Sequence, residues 1–200
     1  MSINFGLTWD YRCPFARIIH EHVVAGLRAG ADWEVDFLPF SLTQTHVEDG
    51  EPDVWEDPSK AADLIAMEAA LVVRDRLPER FLDVHSAFFN ARHEQGRDLR
   101  DDATVREVLS AAGVDADEVM AEVADGWPRE TFRKAHEAAA REHDVWGVPT
   151  FVVGEHAAFV RLMNRPDDDP SRSIATVERI VDAVGGWPEL NELKHTSLDR

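Results

Sequence analysis

Ile3, Phe5, Leu7 and Trp9 recur at spacing two, so residues 3–9 read as a strand with one buried face. A short turn, Asp10-Tyr11-Arg12, leads to Cys13 and Pro14, and proline suits the first position of a helix. Ala16, Ile19, Val23 and Leu27 then follow at helical spacing, with Gly30 as the stop. Trp33, Val35 and Phe37 alternate again and predict a second strand over 33–38. A strand, a helix and a strand this close together form a βαβ unit, whose two strands run parallel. From about 58 to 143 the spacing is helical throughout. Pro58-Ser59 opens a helix ending near Arg76, and Pro78 opens one striped by Phe81, Leu82, His85, Phe88, Phe89 and Arg92. Asp102 is placed to cap a short helix stopping at Gly113, Asp115 and Glu118 have capping-box spacing, and Pro128 opens a helix through His143. Alternation then returns. Thr150-Phe151-Val152-Val153 is a strand, Gly154-Glu155 a turn, and Ala157-Ala158-Phe159-Val160 its hairpin partner. Ile174, Val177, Val181 and Val184 stripe a final helix that ends at Gly185-Gly186.

The element order is therefore βαβ, a block of helices, then ββα. That is an α/β chain with a thioredoxin-like fold and a large all-helical insertion. Residues 1–45 and 145–190 form the core, 46–144 the inserted lobe and 191–200 a tail. The sequence holds no internal repeat, low-complexity tract or Pro/Gly/Ser linker.

A chain of 200 residues can bury a core without disulfide or metal staples. The formal charge of −18 opposes binding to a phosphate backbone, so no nucleic-acid partner is expected. No stretch approaches the roughly 18 apolar residues of a membrane span. The start, MSINFGLTWDYR, lacks a basic segment followed by an apolar run, so the expected compartment is the cytoplasm. Only one cysteine occurs, which excludes an intramolecular disulfide and a cysteine-based zinc site.

The place of that cysteine gives it candidate chemistry. Cys13 stands at the N-terminus of the first predicted helix, where unsatisfied N–H groups and a partial positive charge favour thiolate over thiol. Arg12 would add to this if its side chain turned inward. From position alone, a reactive cysteine and an inert buried one remain equally open.

Two segments carry a resemblance. Trp9-Asp10-Tyr11-Arg12-Cys13-Pro14-Phe15-Ala16 resembles the C-P-x-x active-site segment of the DsbA family, and Val145-Trp146-Gly147-Val148-Pro149-Thr150-Phe151-Val152-Val153-Gly154 resembles its G-V-P-T-F segment. They lie about 135 residues apart with helices between, and the pair is far more specific than either alone. Asn90-Ala91-Arg92-His93-Glu94-Gln95-Gly96 is similar to the actinobacterial branch that includes mycothiol-dependent nitroreductases. Kappa-class glutathione transferases and 2-hydroxychromene-2-carboxylate isomerases are related branches with a helical insertion. The resemblance implies that Cys13 is the nucleophile, within the segment Pro14, Phe15 and Ala16. It implies that Pro149 is cis, against a base rate of about 5–6%. It further implies that Val148, Pro149 and Thr150 bind the thiol or disulfide substrate.

The departure matters as much as the match. Dithiol members carry a second cysteine three residues after the first, where this chain has Ala16. A mixed disulfide at Cys13 must then be released by a thiol from solution. The leading expectation is a DsbA-like thiol–disulfide oxidoreductase with a single active-site cysteine and a co-substrate such as mycothiol or glutathione, without a tightly bound cofactor. The alternatives are a kappa-like glutathione or mycothiol transferase or isomerase, and a non-catalytic binding protein. A homodimer is expected only by analogy with the kappa-like relatives.

Other candidates carry weaker chemistry. His20 and His22 do not face one another, and His136 and His143 lie about 10 Å apart along a helix, so no metal site is expected and the latter two read as surface residues. Asp167-Asp168-Asp169 reads as a solvated loop. His85, on an apolar stripe, reads as a packed core histidine. Arg161 and Arg165 follow the last strand and are candidates to meet a ligand carboxylate.

Overall fold

In the computed structural model, which describes residues 2–195, β1 (Ile3–Trp9) and β2 (Trp33–Pro39) pair in parallel, in register from Ile3↔Trp33 to Trp9↔Pro39. They are joined by α1 (Pro14–Arg28). β3 (Thr150–Val153) runs antiparallel to β1, and β4 (His156–Phe159) antiparallel to β3, giving the sheet order β2-β1-β3-β4. Between β2 and β3 come α2 (Ala61–Arg76), α3 (Pro78–His93), α4 (Asp102–Ala111), α5 (Ala116–Ala124) and α6 (Trp127–His143); α7 (Pro170–Gly186) follows the sheet. This is the thioredoxin-like α/β arrangement with inserted helices. No helix among the described residues is long and apolar enough to cross a membrane. Residues 196–200 of the expected tail lie outside the described residues.

The differences from the sequence pattern are local. β1 is buried on both faces from Phe5 onward, not on one, because helices lie over each side of the sheet. Trp33 meets α1 at Gly26 and Val153 meets α7 at Gly185, whereas Ala135, Ala138 and Ala139 of α6 border a groove with Gly6, Asp36 and Val152 on the other side. Pro58-Ser59 opens a 3-10 turn, Pro58–Lys60, before α2 begins. Asp101, rather than Asp102, caps α4 by accepting from the Thr104 N–H. The hairpin partner begins at His156, one residue early.

Gly26 sets how closely α1, and with it Cys13, approaches the sheet. A Cβ at this position would stand 2.4 Å from the Trp33 ring, which is itself buried. Gly26→Ala is therefore expected to cost about 1–3 kcal/mol in urea unfolding through overpacking. A variant as stable as the original would show that α1 can shift freely.

Candidate active site

Asp10 organises the turn that delivers the cysteine. Its carboxylate is buried, accepts from the Arg12 N–H at 2.9 Å and the Leu42 N–H at 2.9 Å, and pairs with the Arg12 guanidinium at 3.2 Å. The Asp10 carbonyl accepts from the Cys13 N–H at 3.0 Å. Arg12 also donates to the Thr43 hydroxyl. Its charge is thus turned onto Asp10 instead of inward to the sulfur.

Cys13 is the N-cap of α1, with Pro14 exposed, Phe15 half-buried and Ala16 fully buried behind it. Its sulfur accepts from the Ala16 N–H at 3.4 Å, and its thiol donates to the Val148 carbonyl at 3.3 Å. The two resembling segments therefore meet at the sulfur. The expected fall in thiol pKa does not follow. Burial pushes the Cys13 thiol above its ordinary value, and Asp10 adds to this, outweighing the N–H groups of Ala16 and Phe15 and the charge of Arg161. Only 8% of the residue is exposed, and a helix N-terminus does not replace the lost hydration.

The Val148–Pro149 peptide is cis, and both residues are buried. Thr150, which the resemblance assigns to substrate binding, has both its polar groups partnered within the protein. Its N–H donates to the Thr8 hydroxyl at 2.8 Å, and its own hydroxyl donates to the Gly147 carbonyl at 2.8 Å. The first bond holds the loop to β1 and the second closes the loop on itself, while the Val148 carbonyl is the polar group that meets the sulfur.

Around this centre stands an aromatic shelf. The Trp146 indole, 68% exposed, lies 4.6 Å from the Phe159 ring. The Arg161 guanidinium lies 5.1 Å from the Phe15 ring centroid and 6.0 Å from that of Phe159. Arg165, the other candidate for a ligand carboxylate, is instead bound to Glu21 at 2.7 Å and Glu94 at 2.5 Å.

The remaining polar residues are structural. His22 is buried against Ser173 and the Asn164 carbonyl, and Asp169 caps α7. His136 is buried rather than on the surface: its ring lies 4.2 Å from Phe40 and 5.8 Å from Trp55, and its Nδ1 accepts from the Ser41 N–H. Among the described residues no group of three His, Cys, Asp or Glu side chains is placed to hold a metal ion.

Two features escaped the sequence reading. Asp10 as turn organiser had a signal, since aspartate two residues before a bonded N–H forms such turns. The other is a buried chain in which the Tyr11 hydroxyl meets His85 Nδ1 at 2.9 Å, His85 Nε2 meets His20 Nδ1 at 2.9 Å, and His20 Nε2 meets the Thr8 carbonyl at 3.2 Å. His93 also donates to the Tyr11 carbonyl at 2.8 Å. α3 thereby grips the residue two before the cysteine at both its hydroxyl and its carbonyl.

Comparison with known proteins agrees with this fold. The model of the DSBA-like thioredoxin domain matches residues 8–165. Among solved structures, a probable DsbA oxidoreductase from Streptomyces coelicolor is 18% identical, with a TM-score of 0.61 over 96% of this chain and 93% of that one. DsbA of Pseudomonas aeruginosa is 19% identical, with a TM-score of 0.60 over 90% of this chain and 83% of that one. Reduced DsbA1 of Neisseria meningitidis is 14% identical, with a TM-score of 0.58 over 92% and 84%. No curated protein matches significantly. At these identities the structural likeness speaks for the fold.

Proposed function

The chain belongs to the DsbA-like thioredoxin family, and from that premise we propose that it catalyses thiol–disulfide exchange through Cys13 alone, with a low-molecular-weight thiol such as glutathione or mycothiol completing the cycle. The observation that carries the reading is the sulfur itself, capping α1 and bonded at 3.3 Å to the Val148 carbonyl, with Ala16 where a resolving cysteine would stand. The thiolate of Cys13 attacks a disulfide RSSR, forming Cys13–S–S–R and releasing RS⁻. A solution thiolate R′S⁻ then attacks the R sulfur, forming RSSR′ and returning the electron pair to Cys13. The net reaction exchanges RSSR and R′S⁻ for RSSR′ and RS⁻.

The raised thiol pKa bears on both steps. A thiolate of high proton affinity is a strong nucleophile but a reluctant leaving group. Cys13 is thereby a strong attacking group once ionised, and its expulsion by the solution thiol is the demanding step. A thiol-rich compartment suits the cycle, because release depends on thiol concentration.

Incubation with glutathione disulfide or mycothiol disulfide above pH 8, followed by intact mass, tests the reading. One adduct at Cys13, removed by free thiol and absent in Cys13→Ser, is the expected result. Tight non-covalent binding with no adduct would overturn it in favour of the transferase or isomerase reading. Unchanged partner binding and cellular phenotype in Cys13→Ser would point to a non-catalytic protein.

A further inference from the structure

Acidic residues outnumber basic ones by 39 to 21, and three arginines of the elements around the sulfur are taken up by carboxylates. Arg12 is held by Asp10, Arg17 by Glu21 and Glu94, and Arg165 by the same two glutamates. Arg161 is the departure. It is exposed, pairs with no carboxylate among the described residues, and rests its guanidinium over Phe15 and Phe159. Phe15 is the second residue after Cys13, and Phe159 carries Trp146, two residues before the Val148 that receives the thiol. Cation–π contact holds the guanidinium flat on the rings while leaving its N–H fork unsatisfied.

We propose that Arg161, on the shelf of Phe15, Phe159 and Trp146, is the anchor for a carboxylate of the thiol that resolves the Cys13 mixed disulfide. A guanidinium fork accepts a carboxylate in two parallel hydrogen bonds. The exposed Trp146 indole and the half-buried Phe15 and Phe159 rings cover the carbon skeleton, and the sulfur of the bound thiol points to Cys13. The site thereby favours carboxylate-bearing thiols of the glutathione type over sugar thiols that lack a carboxylate. The inference rests on the exchange cycle proposed above. The proximity of the charge agrees with it, since Arg161 lowers the proton affinity of the Cys13 sulfur.

N-acetylcysteine and N-acetylcysteamine share one skeleton and differ by the carboxylate, so they isolate the anchor. The measurement is release of a preformed Cys13–2-mercaptoethanol disulfide by each, compared per thiolate. The net charge of −18 repels an anionic thiol, so without an anchor the ratio of N-acetylcysteine to N-acetylcysteamine falls at or below one. The expected ratio for the unmodified protein is about fivefold in favour of N-acetylcysteine, the worth of one partly exposed charge-assisted pair. Arg161→Gln should bring it to about one, and Arg161→Lys should restore part of it. A ratio at or below one in the unmodified protein, or an unchanged ratio in Arg161→Gln, overturns the proposal. Calorimetric binding of S-methylglutathione, which cannot exchange, separates anchor from cycle. Binding that weakens in Arg161→Gln while no thiol releases the disulfide keeps the anchor and rejects the exchange reading. Binding indifferent to Arg161 rejects the anchor whatever the exchange rate.

Discussion

His85→Leu is expected to destabilise the fold by about 2–5 kcal/mol, although leucine fills much of the same space. The reason is the order of protons in the buried chain. The Thr8 carbonyl can only accept, so His20 Nε2 carries the proton at that 3.2 Å contact. His20 Nδ1 is then an acceptor, and His85 Nε2 must donate to it at 2.9 Å. His85 Nδ1 is left to accept from the Tyr11 hydroxyl at 2.9 Å. One arrangement of neutral side chains satisfies every group, and Tyr11, His20 and His85 are each 0–1% exposed. Leucine strands the Tyr11 hydroxyl and His20 Nδ1 together. Tyr11→Phe strands only the His85 acceptor and is expected to cost about 1–3 kcal/mol. The double variant should cost less than the sum, since two orphans vanish with their partners. Because Tyr11 lies in the turn that places Cys13, alkylation of the sulfur should also quicken in His85→Leu. Urea unfolding within about 0.5 kcal/mol of the unmodified protein would show that water reaches these groups.

That chain marks the boundary of what the sequence made legible. Alternation and helical spacing located β1, α1, β3 and α7 because each element's apolar stripe is a local property. Proline and aspartate marked the helix starts for the same reason, with the cap of α4 misplaced by one because two aspartates adjoin. The meeting of Cys13 with Val148 came from resemblance, as no local rule joins segments 135 residues apart. The errors share a cause. His136 reads as a surface residue until Phe40 and Trp55 are known to lie against its helix. The helix end, which the sequence shows, argues for a lowered thiol pKa, and the burial, which the sequence does not show, raises it. Burial of a polar group is a property of two elements at once, and one chain segment holds half of it.

The same buried imidazoles set the response to acid. Lowering the pH from 7 to 5 is expected to cost about 2 kcal/mol for each histidine held neutral in the folded state, and about 4 kcal/mol for His20 and His136 together. Burial lowers His20 from 6.5 to about 3 and His136 to about 4. Burial, with His20 beside it, also drives His85 well down. Their ordinary value of 6.5 applies when the chain unfolds, so below it the unfolded state binds the proton and the folded state does not. The stability is complete above pH 6.5 and is lost as the pH falls from there toward the folded values. His20 and His85 touch, so their shares do not add in full. Glu68 works the other way, because burial raises its carboxyl and protonation then favours the folded state as pH falls. The ion-paired carboxylates of Asp98 and Glu130, lowered to about 2, lose their contribution only below about pH 4.5, outside the window. Urea unfolding at pH 7 and pH 5 reads the effect, with His136→Gln as the control. Glutamine keeps an acceptor for the Ser41 N–H but cannot titrate, so the difference between the two pH values should shrink by about 2 kcal/mol, whatever the substitution does at pH 7. An unmodified protein equally stable at both pH values, or an undiminished difference in His136→Gln, would mean that these imidazoles are hydrated in the folded chain and already share the protons of the unfolded one.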